Sequence, residues 1–320
     1  MESIKMGIGF GLWQQGMPDA ATLFEYIDKA EAWGIDSIWL SDHMLGERSE
    51  IALMPMMAAI AARTRRLKFG PSVMMLPLRH PIAVAKDIAT LDFLSDGRVI
   101  MAVGLGADEN EANAFNVPLK RRGSMTNEGI EILRKLWSGS HVSHHGKHFH
   151  FDDVTITPRP AKKIDIWIGG RSEAALRRVA RIGDGWFASF VTPQEFAEGE
   201  AKIAEYAAAY GRADAHLEAG SIVFCHVASD SNKARRDFTA FFAGNRRRPP
   251  EQMLKRSAVG TPEECREVLQ RYVEYGLTKF ALWPACPPPQ LLQQLAYYAR
   301  DIIPHFEQRE VPVVTHCSTG

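Results

Sequence analysis

The chain has 320 residues, 46% of them apolar, which suits one large α/β core or two medium ones. Its 38 Lys and Arg balance 38 Asp and Glu, which removes the electrostatic case for a nucleic-acid partner. The start shows no basic stretch leading into an apolar run, and no apolar run reaches the roughly 18 residues of a membrane span. A cytoplasmic protein without membrane contact is expected. Cys225, Cys265, Cys286 and Cys317 are widely spaced without a C-x-x-C pair, so they imply neither a zinc site nor a disulfide framework.

Strand and helix patterns alternate along the chain. Met6–Phe10 reads as a first strand, and Asp19 as the cap of a helix carrying Leu23, Ile27, Ala30 and Trp33 to a stop at Gly34. The second strand is Ser37–Leu40, followed by a helix over 51–63. Leu67–Met74 and the helix 82–94 come next, then Arg98–Val103 and a helix over 126–137. From Ser138 to about Lys163 the rhythm breaks, with a hairpin centred on Gly146. It resumes with strand Ile166–Ile168, helix 172–182, strand Gly185–Ala188 and helix 193–210. Ser221–Val227 is a seventh strand, with helical stretches on either side of 244–250. Thr261, Pro262 and Glu264 open a capped helix that ends at Gly276. Phe280–Trp283 is the eighth strand, and a helix over 290–303 completes the pattern. Eight strands each followed by helix predict a closed (β/α)8 barrel of the TIM type, with a doubly wound open sheet as the alternative. The barrel is expected to be one domain over 1–309, with a hairpin insertion between strands 4 and 5 and a loose tail over 310–320.

In such a barrel the chemistry sits where strands end at their C-terminal side. Gly169-Gly170-Arg171-Ser172 follows strand 5. Its glycines let a ligand approach the backbone, and the first helical turn favours an anion such as phosphate; a tight Ser-capped turn reads equally well. Gly104-x-Gly106 lacks the third glycine of a dinucleotide fingerprint, leaving either room for a flat ring or a plain turn. Asp42-His43 places an ionisable pair at the end of strand 2, where a carboxylate can tune a proton-exchanging imidazole. The bland alternative is a turn cap beside a packed rim histidine. His141, His144, His145, His148 and His150 crowd the hairpin without a convincing ligand set, so a solvated hairpin is expected there. Arg246-Arg247-Arg248 is either solvated surface or a contact for an anionic cofactor tail. Lys68 and Lys279 sit at strand beginnings, the wrong end for a Schiff-base aldolase.

Several motifs together resemble the luciferase-like oxidoreductases. They are the second-strand segment Gly34–His43, Leu78-Arg79-His80-Pro81 and Ser95-Asp96-Gly97-Arg98-Val99, followed by Gly104-Leu105-Gly106. Pro158-Arg159-Pro160, Ile166–Gly170 and Gly183-Asp184-Gly185-Trp186 continue in the same order, so the resemblance runs over residues 5–305. It implies a barrel whose mouth binds coenzyme F420 or FMN, and a non-prolyl cis bulge at Ser72-Val73 behind the cofactor ring. It further implies that Asp42 and His43 border that ring as catalytic residues. Ser72, Val73, Met75, Gly104 and Gly106 would line the cofactor, with Gly169, Gly170, Arg171 and Ser172 on its phosphate. One departure is visible. F420-dependent glucose-6-phosphate dehydrogenases carry a catalytic Glu directly after the Gly-x-Gly loop, where this chain has Ala107.

The reading favoured by that resemblance is hydride transfer between F420 and a small organic substrate, with His43 as proton donor or polarising group. An FMN-dependent monooxygenase fed by a separate reductase is the runner-up, and a non-enzymatic flavin-binding protein the third reading. A homodimer is implied by resemblance alone.

Overall fold

The computed structural model describes residues 3–45, 50–243, 245 and 248–307. The tail expected over 310–320, with Cys317, lies outside the described residues. Eight parallel strands form the barrel: β1 (Lys5–Phe10), β2 (Ser37–Leu40), β3 (Lys68–Pro71), β4 (Met101–Gly104), β5 (Ile166–Gly169), β6 (Gly185–Ser189), β7 (Glu218–Val227) and β8 (Lys279–Pro284). Hydrogen bonding runs β3–β2–β1–β8–β7–β6–β5–β4. The ring closes because β3 resumes at Met74–Met75 and pairs with β4 there, while Phe69 and Val99 bridge lower down. This is the (β/α)8 barrel expected, and the open sheet is set aside.

Alternation along each strand divides the interior from the helical layer. Met6, Ile8, Ile38, Phe69 and Ile166 face outward into the main core with the helices. Trp39, Trp167, Phe187 and Trp283 face inward and plug the barrel, with Trp39 and Phe187 stacked at 4.4 Å. Inward glycines make the space for these rings. A Cβ at Gly9 would fall 2.2 Å from Trp283, and one at Gly220 would fall 2.8 Å from Trp167. The plug is a handful of large rings set against absent side chains.

Local signals hold at most helix starts. Asp19 accepts from Thr22 N, and both Thr192 and Thr261 form capping boxes with the Glu three residues on. Two elements escape the sequence reading. Ser257–Gly260 is a short strand pairing the C-terminal end of β7, and Glu109–Ala114 is a helix capped by Asp108. The last helix is also interrupted by a π-turn at Tyr298–Ile302, just ahead of Pro304, whose missing N–H cannot extend a regular α-helical ladder.

The hairpin is Val142–His145 with His150–Val154. It is less solvated than expected. Glu128, on the helix Arg122–Ser138, accepts from the backbone N–H of His148 at 3.0 Å and Phe149 at 2.8 Å, and its Oε1 is 3.2 Å from His144 Nε2. His144 is buried by that anchorage, whereas His141 and His145 pair outside with Asp153 and Asp152. The rest of the hairpin is exposed or half-exposed as expected, and His144 departs because a carboxylate on a core helix draws it in. Among the described residues no helix is long and apolar enough to cross a membrane.

Candidate active site at the barrel mouth

The site is built around a break in β3. After Pro71 the Ser72–Val73 peptide is cis, and the strand resumes at Met74. Neighbouring elements hold the break on both sides. Ser72 N donates to Leu40 O of β2 at 2.7 Å, and Met75 N donates to Asp42 Oδ2 at 2.8 Å. Arg79 grips both oxygens of the same carboxylate at 2.7 Å each, a bidentate pair with the Asp42 side chain 2% exposed. Asp42 therefore holds the bulge to the end of β2 and is already engaged by an arginine.

Val73 explains two of the glycines. A Cβ at Gly104 would fall 2.5 Å from Val73 Cγ2, and one at Gly169 would fall 2.5 Å from Val73 Cγ1. Gly106 has φ +72° and its Cβ would meet Met75 Sδ at 2.8 Å. The bulge fills the space these glycines leave, so their first service is to admit Val73 and Met75. Gly104→Ala forces an overpacked contact costing about 1–3 kcal/mol. The expected outcome is a lower denaturant midpoint together with weakened cofactor titration, whereas an unchanged protein would show that the cradle does not depend on this glycine.

His43, the next residue after Asp42, turns to a different carboxylate. Its Nδ1 lies 3.2 Å from Glu111 Oε2, while Glu111 Oε1 accepts from Met44 N at 2.6 Å and Leu45 N at 3.0 Å. Glu111 is 2% exposed and His43 is 31% exposed, so the imidazole reaches the surface from a buried carboxylate base. That arrangement fixes the ring and turns Nε2 away from Glu111. The carboxylate that faces His43 is thus Glu111, while its chain neighbour Asp42 serves Arg79. Sequence reasoning missed Glu111 because the helix that carries it went unread; Asp108 before an Asn-Glu stretch was the available capping signal.

The loop after β5 behaves as its residues suggest. Gly170 has φ +116°, Trp186 Nε1 donates to its carbonyl at 2.7 Å, and Ser172 Oγ accepts from Ala175 N at 3.3 Å to cap the helix Glu173–Ile182. Arg171 Nη1 donates to Phe190 O at 2.9 Å, tying this loop to the end of β6. Arg248 lies over the Phe190 ring at 4.1 Å, whereas Arg246 and Arg247 lie outside the described residues. On the other side, Glu50 joins the β1 and β2 loops by accepting from Leu12 N at 2.9 Å and Ser41 Oγ at 2.6 Å.

The structure brings together Asp42, Ser72, Val73, Met75, Gly104, Gly106 and Gly169 around one bulge, with His43 beside Asp42 in the chain. Gly170, Arg171 and Ser172 form the turn that continues from Gly169. A ring-shaped cofactor fits this setting on one direct sign beyond the cradle: Ser72 Oγ is buried without a partner among the described residues.

Comparison with known proteins agrees with that architecture. The profile of the luciferase-like monooxygenase family matches residues 4–279. An F420-dependent glucose-6-phosphate dehydrogenase of Amycolatopsis mediterranei is 34% identical over 191 residues, 57% of this chain and 56% of that protein. The chain thus spans about half the length of the first curated relatives it matches. The enzyme of the same name from Beutenbergia cavernae is 30% identical over 320 residues, covering 90% of this chain and 94% of its own. Among solved structures, an F420-dependent secondary alcohol dehydrogenase holding an F420-acetone adduct superposes with TM-score 0.84 at 20% identity, covering 94% of this chain and 99% of that one. Monooxygenase RslO1 from Streptomyces bottropensis gives 0.79 at 22% identity over 95% and 100%. At those identities the structures speak to the barrel alone. The family profile and the nearly full-length relative go further: this chain belongs to the luciferase-like monooxygenase family.

Proposed function

We propose that this protein is an oxidoreductase that transfers a hydride between coenzyme F420 and a small organic substrate at the C-terminal mouth of the barrel. The observation that carries the reading is the His43–Glu111 pair, held near the Val73 bulge by the β2 loop. Relatives named for F420-dependent dehydrogenation support the choice of cofactor. A bound deazaflavin would supply the hydride-carrying ring carbon. Val73 would support that ring from behind, and the turn Gly169–Ser172 would take the phosphate at the start of the helix. Glu173 in the same turn is already paired with Arg177 at 2.7 Å, which offsets its charge near an anion.

His43 then has a definite task. With Nδ1 against Glu111, the imidazole can hold a proton on Nε2 for a substrate oxygen that gains or loses charge as hydride moves. Glu111 would stabilise the imidazolium and keep the ring in place. Asp42 acts at one remove, by holding the bulge through Met75 N and Arg79. Position 107 is Ala, and the Glu111 carboxylate lies buried beneath His43. A substrate that asks for an open carboxylate after the Gly-x-Gly loop is therefore disfavoured, and an alcohol or carbonyl compound smaller than a sugar phosphate is the class proposed.

Titrating the protein separately with F420 and with FMN tests the reading. Saturable quenching of F420 fluorescence, with FMN bound at least tenfold more weakly, is the expected result. Tight FMN binding with no F420 response would transfer the proposal to a flavin monooxygenase fed by a separate reductase.

A further inference from the structure

Beneath the aromatic plug, the opposite end of the barrel is lined with charge. Lys5 and Lys279 are register partners on adjacent strands, and Lys279 shares the inward parity of Ala281 and Trp283. Lys68 and Glu218 open β3 and β7 at the same end. A cavity of about 270 Å3 lies there, walled by Lys5, Lys68, Lys279 and Glu218 with Ser3 and Thr278. A second cavity of about 580 Å3 shares Trp167, Glu218 and Lys279 with it and extends past Arg159 and Lys162. Lys279 stands where the two meet.

Its amine is poorly compensated for a lysine so enclosed. The side chain is 14% exposed, Glu218 Oε2 is 4.0 Å away, beyond hydrogen-bond reach, and the Trp167 ring centre lies at 5.0 Å. Asp36, the other nearby carboxylate, is bonded to Lys68 at 3.2 Å. Burial pushes the Lys279 ammonium below its ordinary range; Asp36 and Glu218 oppose this, while Lys68 and Lys5 add to it. A larger share of neutral amine follows. The lining of the smaller cavity carries three lysines and Glu218 as its one carboxylate, with Asp36 outside the lining taking part of the Lys68 charge, and that lining favours an anion beside the Lys279 amine.

We propose that Lys279 is a covalent docking site for a small anionic carbonyl compound, an aldehyde or ketone bearing a phosphate or carboxylate, at the N-terminal opening of the barrel. The neutral amine adds to the carbonyl carbon, forming the C–N bond, and the carbinolamine then loses water. Both amine protons leave with the former carbonyl oxygen, a C=N bond remains, and no redox partner is needed. Lys5 holds the anionic group, with Lys68 contributing from its pair with Asp36. The site is separated from the mouth by Trp39, Trp167, Phe187 and Trp283, so it is independent of the cofactor reading.

The test uses the full chain with pyridoxal 5′-phosphate and, in parallel, pyruvate, each followed by borohydride and peptide mapping. Reduced adduct concentrated on Lys279, several-fold above any other lysine, is expected from at least one probe. The favoured probe then identifies phosphate or carboxylate as the anchoring group. Lys5→Ala and Lys68→Ala should each lower the yield at Lys279 several-fold, and Lys279→Arg should abolish the adduct while leaving cofactor titration at the mouth unchanged. Adducts spread evenly over exposed lysines, or an unreacted Lys279 with both probes, would overturn the proposal. The primary readout is on the unsubstituted protein and is decisive without any variant having to fold.

Discussion

His43→Ala is expected to lower turnover by about 100- to 10,000-fold, the range for a positioned acid–base group, while leaving cofactor affinity within a few-fold. The split follows from geometry. The bulge that would carry the ring is held by Leu40 O, Asp42 and Arg79, none of which depends on the imidazole. Single-turnover kinetics beside cofactor titration measure both halves. Glu111→Gln should retain an oxygen for the Met44 and Leu45 amides but remove the charge facing His43 Nδ1, giving a smaller loss of turnover than His43→Ala. A His43→Ala protein with full turnover would end the catalytic assignment, and full turnover in Glu111→Gln would reduce Glu111 to a loop anchor.

The second large effect is on stability. Arg79→Leu strips the guanidinium from both oxygens of the buried Asp42 carboxylate and leaves it the amide of Met75. Breaking one side of a buried ion pair costs about 3–5 kcal/mol, because the remaining charge keeps its desolvation penalty. Denaturant unfolding should show that loss, with cofactor affinity falling as the bulge loosens. Asp42→Asn in the Arg79→Leu background should recover part of the stability by removing the stranded charge, a sign that separates this mechanism from lost packing. No recovery would place the cost in the arginine's contacts instead.

The sequence showed the ring of strands more plainly than it showed the partners within the site. Strand 2 was legible to the residue, because the apolar run Ile38-Trp39-Leu40 ends in the polar triplet Ser41-Asp42-His43. Asp42 and His43 were legible as candidates but their partners were not: Arg79 is 37 residues away and Glu111 is 68, so no local spacing links them. Consecutive side chains turned to separate partners, as neighbours at a strand end do. The glycines were seen but their occupant was not, because Val73 belongs to another strand and reaches them only after the barrel closes. Ser257–Gly260 carries too short and too small-residue a pattern to signal a strand against its surroundings.

The filling of the barrel has a consequence for how this sequence can drift. Because Trp167 and Trp283 each occupy volume that a glycine on another strand leaves vacant, neither member of such a pair can change in size alone. Gly220 and Trp167, or Gly9 and Trp283, should behave as inherited couples: enlarging one is tolerated where the other has already shrunk, so single steps are harmful and paired steps can be neutral. Diversity among barrels of this type would then collect in the loops, with the interior passed on as matched sets.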